Sequence, residues 1–144
     1  MSLLFFDTEF TGLHKDTTLI SIGIASEDNQ CFYAEFTDYD NSQCDKWIKE
    51  NVIDNLVLTN RLIGIVNESI ENNGNVIHIQ NVRGNKHFVS MQLNKWLKQF
   101  QNIQFVSDVC HYDFVLLIDL ITNGGTALDL PVNISAVCHD INQD

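Results

Sequence analysis

The chain has 144 residues, 44% of them hydrophobic, and a formal net charge of −11 at pH 7. This length and apolar content suit one domain with a single core. The acidic balance argues against a broadly basic nucleic-acid-binding surface, so a nucleic-acid substrate would have to be held by other means.

The cysteines and the apolar segments indicate the cellular setting. The four cysteines are far apart and form no C-x-x-C pair, so the sequence indicates neither a zinc ribbon nor a disulfide framework and favours reduced thiols. The sequence shows no charged-then-apolar leader and no apolar segment long enough to span a bilayer. We therefore expect a soluble, cytoplasmic protein that does not associate with membranes.

The first part of the chain predicts three strands. Residues 3–6 form a short apolar run, residues 19–25 are almost wholly apolar, and residues 31–36 alternate apolar with polar. The polar residues 26–30 have the length of a hairpin turn, which predicts an antiparallel second and third strand. The sheet is thus expected to open as an antiparallel meander.

The remaining elements mix helices and strands. Residues 46–58 carry apolar side chains at roughly helical spacing, residues 76–79 predict a short strand, and residues 88–100 predict an amphipathic helix. A buried strand over 103–106 and an apolar helix over 113–121 form a β-then-α step, which is typical of parallel pairing. Residues 133–144 predict a loop that leads into a helix. We expect one α/β domain with a mixed five-stranded sheet and flanking helices.

The first candidate site is a pair of acids at the end of the first strand. Asp7 and Glu9 are two residues apart, so a strand directs both side chains to the same face. Two carboxylates this close repel each other unless a cation lies between them. Hard divalent cations such as Mg²⁺ take carboxylate oxygens as ligands, so a metal site is indicated.

The second candidate lies where the strand at 103–106 ends and a helix begins. Asp113 at this point has two interpretations: a helix N-terminal carboxylate that is favoured by free N–H groups and the helix dipole, or a ligand that completes a site with Asp7 and Glu9. The interpretation as a ligand is favoured because open α/β sheets bind their ligands at the C-terminal ends of adjacent strands. Asp108 is a rival for the same role.

The third candidate is His139, followed five residues later by Asp144. Alone this pair is a weak signal, because a surface location at a helix start explains both residues. The pair becomes informative because of its order and spacing in the chain relative to the other two candidates.

In this order the three segments resemble the DEDD superfamily of 3′–5′ exonucleases, specifically the histidine-containing branch with ribonuclease T, oligoribonuclease and proofreading domains. Residues 7–13, Asp-Thr-Glu-Phe-Thr-Gly-Leu, resemble the first motif, with Phe10 where many members have threonine. His111-Tyr112-Asp113 is similar to the second motif, and His139 with Asp144 to the third. The likeness runs along the whole chain and extends to small mycobacterial-type exoribonucleases.

The resemblance implies an RNase-H-like fold and two-metal hydrolysis of phosphodiesters at a 3′ end. It implies that two divalent ions, Mg²⁺ or Mn²⁺, are held by four carboxylates, with His139 as the general base, because imidazole titrates near neutral pH. The implied metal ligands are Asp7, Glu9, Asp113 and Asp144, and the implied contacts to the 3′ end are Thr8, Phe10, Thr11, Gly12 and Leu13. For Phe10 and Leu13, plain core packing is an equal alternative.

The implied partner is the 3′ end of a single-stranded nucleic acid, RNA more than DNA, and a homodimer is also implied. One departure stands out: members of the family continue the last helix beyond its aspartate, whereas Asp144 is the final residue here. We therefore expect a single exonuclease domain over 1–144 that either carries its fourth ligand at a terminus or lacks a C-terminal helix.

Two further hypotheses remain open. The first is a catalytically inactive RNase-H-like module that binds a nucleic acid or a protein. The second is an acidic decoy that mimics nucleic acid; it is disfavoured because decoys spread acids over a face, whereas these acids gather at strand ends.

Overall fold

The computed structural model describes residues 1–12, 14–108 and 110–143, apart from the side chains of His111 and Gln143. The fold is α/β, with a mixed sheet of seven strands and three α-helices in the described residues. The strands are β1 (Ser2–Phe10), β2 (Leu19–Ser26), β3 (Gln30–Phe36), β4 (Gly64–Asn72), β5 (Asn75–Gly84), β6 (Ile103–Ser107) and β7 (His139–Asp140), and the helices are α1 (Lys46–Asn51), α2 (Lys86–Leu97) and α3 (Cys110–Thr122).

The strands lie in the order β4-β5-β3-β2-β1-β6-β7. β1 to β3 form the predicted antiparallel meander, and β6 pairs with β1 in parallel, as the β-then-α step predicts. β5 pairs in parallel with β3 and antiparallel with β4. β1 is therefore central, with β6 at its side.

One face of the sheet carries the core. Alternation along β1 buries Leu4 and Phe6, and the Phe6 ring meets the Phe105 ring of β6 edge to face, with centroids 5.5 Å apart. α2 and α3 pack against each other and contribute the fully buried Leu93 and Leu117 to the same cluster. We call this the core face and the opposite side the open face. Residues with odd numbers in β1 lie on the open face.

The prediction of five strands is wrong, because the sheet also contains β4 and β7. β4 escapes a pattern-based prediction because residues 65–72 are exposed on both faces, so their apolar residues do not alternate. β5 spans ten residues rather than the four predicted. The turn between them places Asn73 at φ 51° and Gly74 at φ 83°, the two positive values that a tight hairpin turn requires.

The helix predicted near the C-terminus is also wrong. Ile134 forms a bridge with Ile103, His139 and Asp140 pair with the end of β6, and a 3₁₀ turn follows over Ile141–Gln143. The physical reason is that β6 has a free edge, whose backbone N–H and C=O groups gain partners from this segment. Asp144 lies outside the described residues.

The remaining helices match the sequence in part. α1 ends at Asn51, after which a 3₁₀ turn takes up Ile53–Asn55, so the helix predicted over 46–58 is divided. α2 begins after Asn85, whose side chain accepts a hydrogen bond from the Phe88 N–H. Among the described residues, no helix has both the length and the hydropathy needed to span a membrane.

Candidate metal centre and adjoining clefts

The register of β1 and β6 brings two acids together on the open face. Phe5 pairs with Val106 in this parallel ladder, and Asp7 and Asp108 each lie two residues further along. Residues at matching positions of parallel strands point to the same face, so both carboxylates project from the open face at neighbouring positions. Both side chains are exposed.

Asp113 reaches the same place from the first turn of α3 and is buried, with 3% of its surface exposed. One carboxylate oxygen accepts a hydrogen bond from the Thr8 hydroxyl at 2.7 Å, and the other accepts one from the Ser107 hydroxyl at 3.0 Å. Thr8 follows Asp7 on β1, and Ser107 precedes Asp108 at the end of β6. Because side chains alternate along a strand, both hydroxyls lie on the core face. The carboxylate of Asp113 is therefore oriented by both strands.

These three carboxylates form one cluster. Oxygen atoms of Asp7, Asp108 and Asp113 all lie within 4.8 Å of one another. Burial and then the charge of Asp108 raise the pKa of Asp7. Burial raises the pKa of Asp113, with the charges of Asp7 and Asp108 adding to the rise and the two hydroxyl hydrogen bonds opposing it.

The cluster fits a hard divalent cation. It offers only carboxylate oxygens, which Mg²⁺ and Mn²⁺ accept as ligands, and the exposed Asp7 and Asp108 leave room for water in the coordination shell. A bound cation would also compensate the mutual repulsion that disfavours three ionised carboxylates at this separation.

Glu9 lies beside this cluster without joining it. It is exposed on the same face as Asp7, and burial followed by the charges of Asp7 and Asp113 raises its pKa. The register between β1 and β2 shifts between Glu9 and Phe10, so the ladder is irregular directly after Glu9. The residue that joins Asp7 and Asp113 in the cluster is Asp108 rather than Glu9. The sequence offered Asp108 only as an alternative to Asp113.

The residues predicted to contact a 3′ end have varied surroundings. Thr8 and Thr11 are buried, and the Thr11 hydroxyl contacts Thr18 and Gln43, which fastens the segment after β1. Phe10 is half-buried and stacks on the exposed Tyr112, with ring centroids 5.9 Å apart. Gly12 is partly exposed, its N–H donates to the Thr17 hydroxyl, and Leu13 lies outside the described residues.

His139 is exposed at the edge of the sheet and pairs with Val106. It is thus level with Phe5, and its position corresponds to the open face. Because adjacent strands are spaced by about 4.8 Å, the backbone of His139 lies roughly 10 Å from that of β1. His139 therefore lies on the edge strand of the sheet, two positions before the level of Asp7 and Asp108, whereas Asp144 lies outside the described residues.

Two clefts on the open face meet at Asp7. One, of about 510 Å³, runs over the aromatic side chain of Phe5, which is 44% exposed, and along Val106 and Asp108. The other, of about 310 Å³, extends past Glu9 and Tyr33 to the residues after α1. Among the described residues, none that lines either cleft is lysine or arginine.

The wall of the smaller cleft is fixed by a buried acid. Glu35 is 2% exposed, and its carboxylate accepts hydrogen bonds from the N–H groups of Val57 and Leu58 at 2.8 and 2.9 Å. The hydroxyl of Tyr33 donates to the same carboxylate. Burial, and then this hydrogen bond, raise the pKa of Tyr33.

Sequence reasoning gave no role to Phe5 or Tyr33, although both line the clefts. Phe5 could have been found from its register, because it is two residues before Asp7 and therefore on the same face. Tyr33 gives no such signal, since its proximity to Asp7 depends on the pairing of β1, β2 and β3.

Comparison with known proteins gives a local likeness. No protein-family model matches the chain. Over 52 residues the chain is 36% identical to a 3′–5′ exoribonuclease of Mycobacterium tuberculosis, with the same figures for strains CDC 1551 / Oshkosh and ATCC 25618 / H37Rv. This stretch makes up 36% of the chain and 31% of each relative, so the match spans about a third of the length of the curated relatives.

Proposed function

We propose that this chain is a metal-dependent 3′–5′ exonuclease that hydrolyses phosphodiesters at the 3′ end of single-stranded RNA. The observation that carries the proposal is the meeting of the Asp7, Asp108 and Asp113 carboxylates within 4.8 Å. The local identity with a 3′–5′ exoribonuclease supports an exonuclease, and supports RNA over DNA as its substrate. The α/β sheet with helices beside it suits the RNase-H-like fold that the resemblance implies.

The carboxylates have distinct roles in this proposal. Asp7, Asp108 and Asp113 bind a divalent ion, Mg²⁺ or Mn²⁺, and Glu9 and Asp144 complete the site for a second. When bound, such a pair of ions activates a water molecule and stabilises the departing 3′ oxygen. Thr8 and Ser107 hold the Asp113 carboxylate in place, so the buried ligand needs little reorganisation.

Substrate binding in this proposal depends on the cations. RNA is a polyanion, and neither cleft is lined by a described lysine or arginine, so the carboxylates alone would repel it. The exposed ring of Phe5 offers a surface on which a base can stack. Such stacking does not depend on the identity of the base. The segment from Phe10 to Leu13 contacts the 3′ end. A homodimer remains a prediction from the resemblance.

His139 acts as the general base that takes a proton from the attacking water. Its position on β7, level with Phe5 and on the side of the sheet that carries Asp7 and Asp108, supports this assignment. His139→Ala should lower turnover by about 10² to 10⁴-fold, the usual contribution of a positioned base, and leave metal and RNA binding nearly unchanged. An equal loss of binding would count against the role.

A direct experiment uses a single-stranded RNA labelled at its 5′ end, with Mn²⁺ or with EDTA. We expect a ladder of products that shorten from the 3′ end, formed only with the metal. Asp113→Asn should abolish the ladder, and the exposed turn variant Glu27→Gln should keep it. RNA binding without any product in Mg²⁺ or Mn²⁺ would contradict the proposal and favour the inactive binding module.

A DNA strand of the same sequence tests the substrate class. Only a contact to the 2′-hydroxyl separates the two substrates at a given site. Faster release of nucleotides from RNA is expected, and equal rates would remove the preference for RNA while leaving the exonuclease proposal intact.

A further inference from the structure

Two cysteine side chains meet beside the carboxylate cluster. Cys110 is the first residue of α3 and Cys138 directly precedes β7, and their sulfur atoms lie 2.8 Å apart although the residues are 28 positions apart in the chain. Cys110 also approaches the carbonyl oxygen of Ser107, at 3.7 Å. The two thiols therefore face each other across the junction between α3 and the C-terminal edge of the sheet.

The distance between the two sulfur atoms is short enough for a bond to form with a small movement. The sulfur atoms of a disulfide are about 2.0 Å apart, so bond formation requires them to approach by less than about 1 Å. Both thiols are free and partly exposed, which gives a small reagent access to at least one of them. The other two cysteines are placed differently: Cys31 lies on the open face of β3, and Cys44 is buried and contacts the carbonyl oxygen of Asp40.

We propose that Cys110 and Cys138 form an oxidisable dithiol site, which reacts with a small-molecule disulfide and closes into an intramolecular disulfide bond. One protein thiolate attacks a sulfur of the reagent, forms a mixed disulfide and releases one small thiolate, which takes up the proton that the protein thiol gave up. The second protein sulfur then displaces the remaining small thiol in the same way. In sum, two protein thiols are oxidised and one small disulfide is reduced to two thiols.

The bond would connect two segments that carry residues of the candidate site. Cys110 is two residues after Asp108 and three before Asp113, and Cys138 is next to His139. Closing a loop of this length restricts the unfolded chain and should raise the melting temperature by roughly 10 °C. The dithiol chemistry does not require nuclease activity, so its test stays separate from that of the proposed function.

The test exposes the reduced full chain to oxidised glutathione and then blocks the remaining thiols before intact-mass analysis. We expect the loss of two hydrogen atoms, two blocked cysteines and no bound glutathione, together with the higher melting temperature. Dithiothreitol should reverse both changes. Persistent glutathione adducts on Cys110 or Cys138, or four thiols that stay free, would overturn the proposal.

The position of the bond is read from peptides of the unmutated protein. Cleavage at aspartate separates Cys110 from Cys138, because Asp113, Asp119 and Asp129 lie between them, whereas no lysine or arginine does. We expect these two peptides to remain joined until reduction, and a link to Cys31 or Cys44 would refute the assignment.

Matched variants add a second readout. Cys138→Ser should stop the reaction at a mixed disulfide on Cys110, and Cys31→Ser should still form the internal bond. If Cys138→Ser fails to fold, the peptide map of the unmutated protein still decides the outcome.

Discussion

The hydroxyl of Thr8 on β1 donates a 2.7 Å hydrogen bond to the carboxylate of Asp113 on α3, and so joins residues 105 positions apart. Ser107 on β6 donates to the other oxygen of the same carboxylate. β1 and β6 thus each direct one acid, Asp7 or Asp108, to the open face. The adjacent hydroxyl on each strand lies on the core face and donates to Asp113. The arrangement of Asp113 is therefore built into the pairing of the strands with the helix.

Replacement of Thr8 by valine tests this support. Thr8→Val keeps the shape of the side chain but removes the donor, so one oxygen of the buried Asp113 carboxylate loses a partner. An unsatisfied buried group of this kind costs about 2 kcal/mol, so the free energy of unfolding should fall by about that amount. Urea denaturation of the metal-free protein measures it.

Thr8→Ser is the matched control, because it keeps the hydroxyl and removes only a methyl group. We expect Thr8→Ser to lose much less stability than Thr8→Val. Equal losses would mean that packing around residue 8, and not the hydrogen bond to Asp113, carries the effect.

Asp108 is expected to be a metal ligand although the resemblance assigned it no role. Asp108→Asn removes one charged oxygen ligand from the cluster, and we expect Mn²⁺ affinity to fall at least about tenfold, since even groups behind a ligand contribute that much. Calorimetric titration with Mn²⁺ measures the affinity.

Glu27→Gln provides the comparison for this titration, because it removes the same charge from the exposed turn between β2 and β3. Its Mn²⁺ affinity should match that of the unmodified chain. A similar drop in both variants would show that only the overall charge of the protein matters, and would remove Asp108 from the site.

The metal-free protein should lose stability as the pH rises from the ordinary pKa of its clustered carboxyl groups through their raised pKa. The pKa values of Asp7, Glu9 and Asp113 are raised above their ordinary values of 3.8, 4.5 and 3.8, chiefly by burial. Between the ordinary and the raised pKa the folded state binds more protons than the unfolded state, so the free energy of unfolding falls with increasing pH. Melting temperatures in EDTA across this range measure the contribution of these groups.

Mg²⁺ should raise the melting temperature at neutral pH, because a cation that binds only the folded state stabilises it. Asp113→Asn in EDTA should show a weaker dependence on pH than the unmodified chain. An unchanged slope in Asp113→Asn, or no effect of Mg²⁺ on the melting temperature at pH 7, would contradict the prediction.

The antiparallel meander and the acidic face of β1 could be predicted because both follow from local patterns. Residues 19–25 are almost wholly apolar, a polar hairpin follows them, and the spacing of Asp7 and Glu9 fixes their common face. β4 could not be predicted in the same way, because it is exposed on both faces and stabilised mainly by its hairpin with β5. The Asn73-Gly74 turn was the available signal.

The composition of the acidic cluster depends on a long-range register. The paired positions of Phe5 and Val106 bring Asp108 beside Asp7, and neither residue alone indicates that pairing. The end of the chain shows the same dependence, since residues 133–140 take positions on the free edge of β6 in place of the predicted helix. The helical propensity of this segment competes with pairing to the unpaired backbone groups of β6, a strand that is distant in the sequence.

The wall of the smaller cleft should depend on the carboxylate of Glu35. Glu35→Gln replaces one acceptor oxygen by an amide nitrogen that faces N–H donors, so it removes a charge-assisted hydrogen bond and leaves a buried N–H without a partner. We expect the free energy of unfolding to fall by about 3 kcal/mol. Urea denaturation measures the loss, and hydrogen exchange of the Val57 and Leu58 amides shows whether this segment opens.

Tyr33→Phe separates the two kinds of bond at this site, because it removes only the hydroxyl that donates to Glu35 and leaves both backbone bonds in place. Its cost should be about 1 kcal/mol, with the Val57 and Leu58 amides still protected. If Glu35→Gln costs no more than Tyr33→Phe and the two amides exchange slowly in both variants, the segment is held by packing of its apolar side chains. The buried carboxylate would then have no part in shaping the cleft beside Asp7 and Glu9.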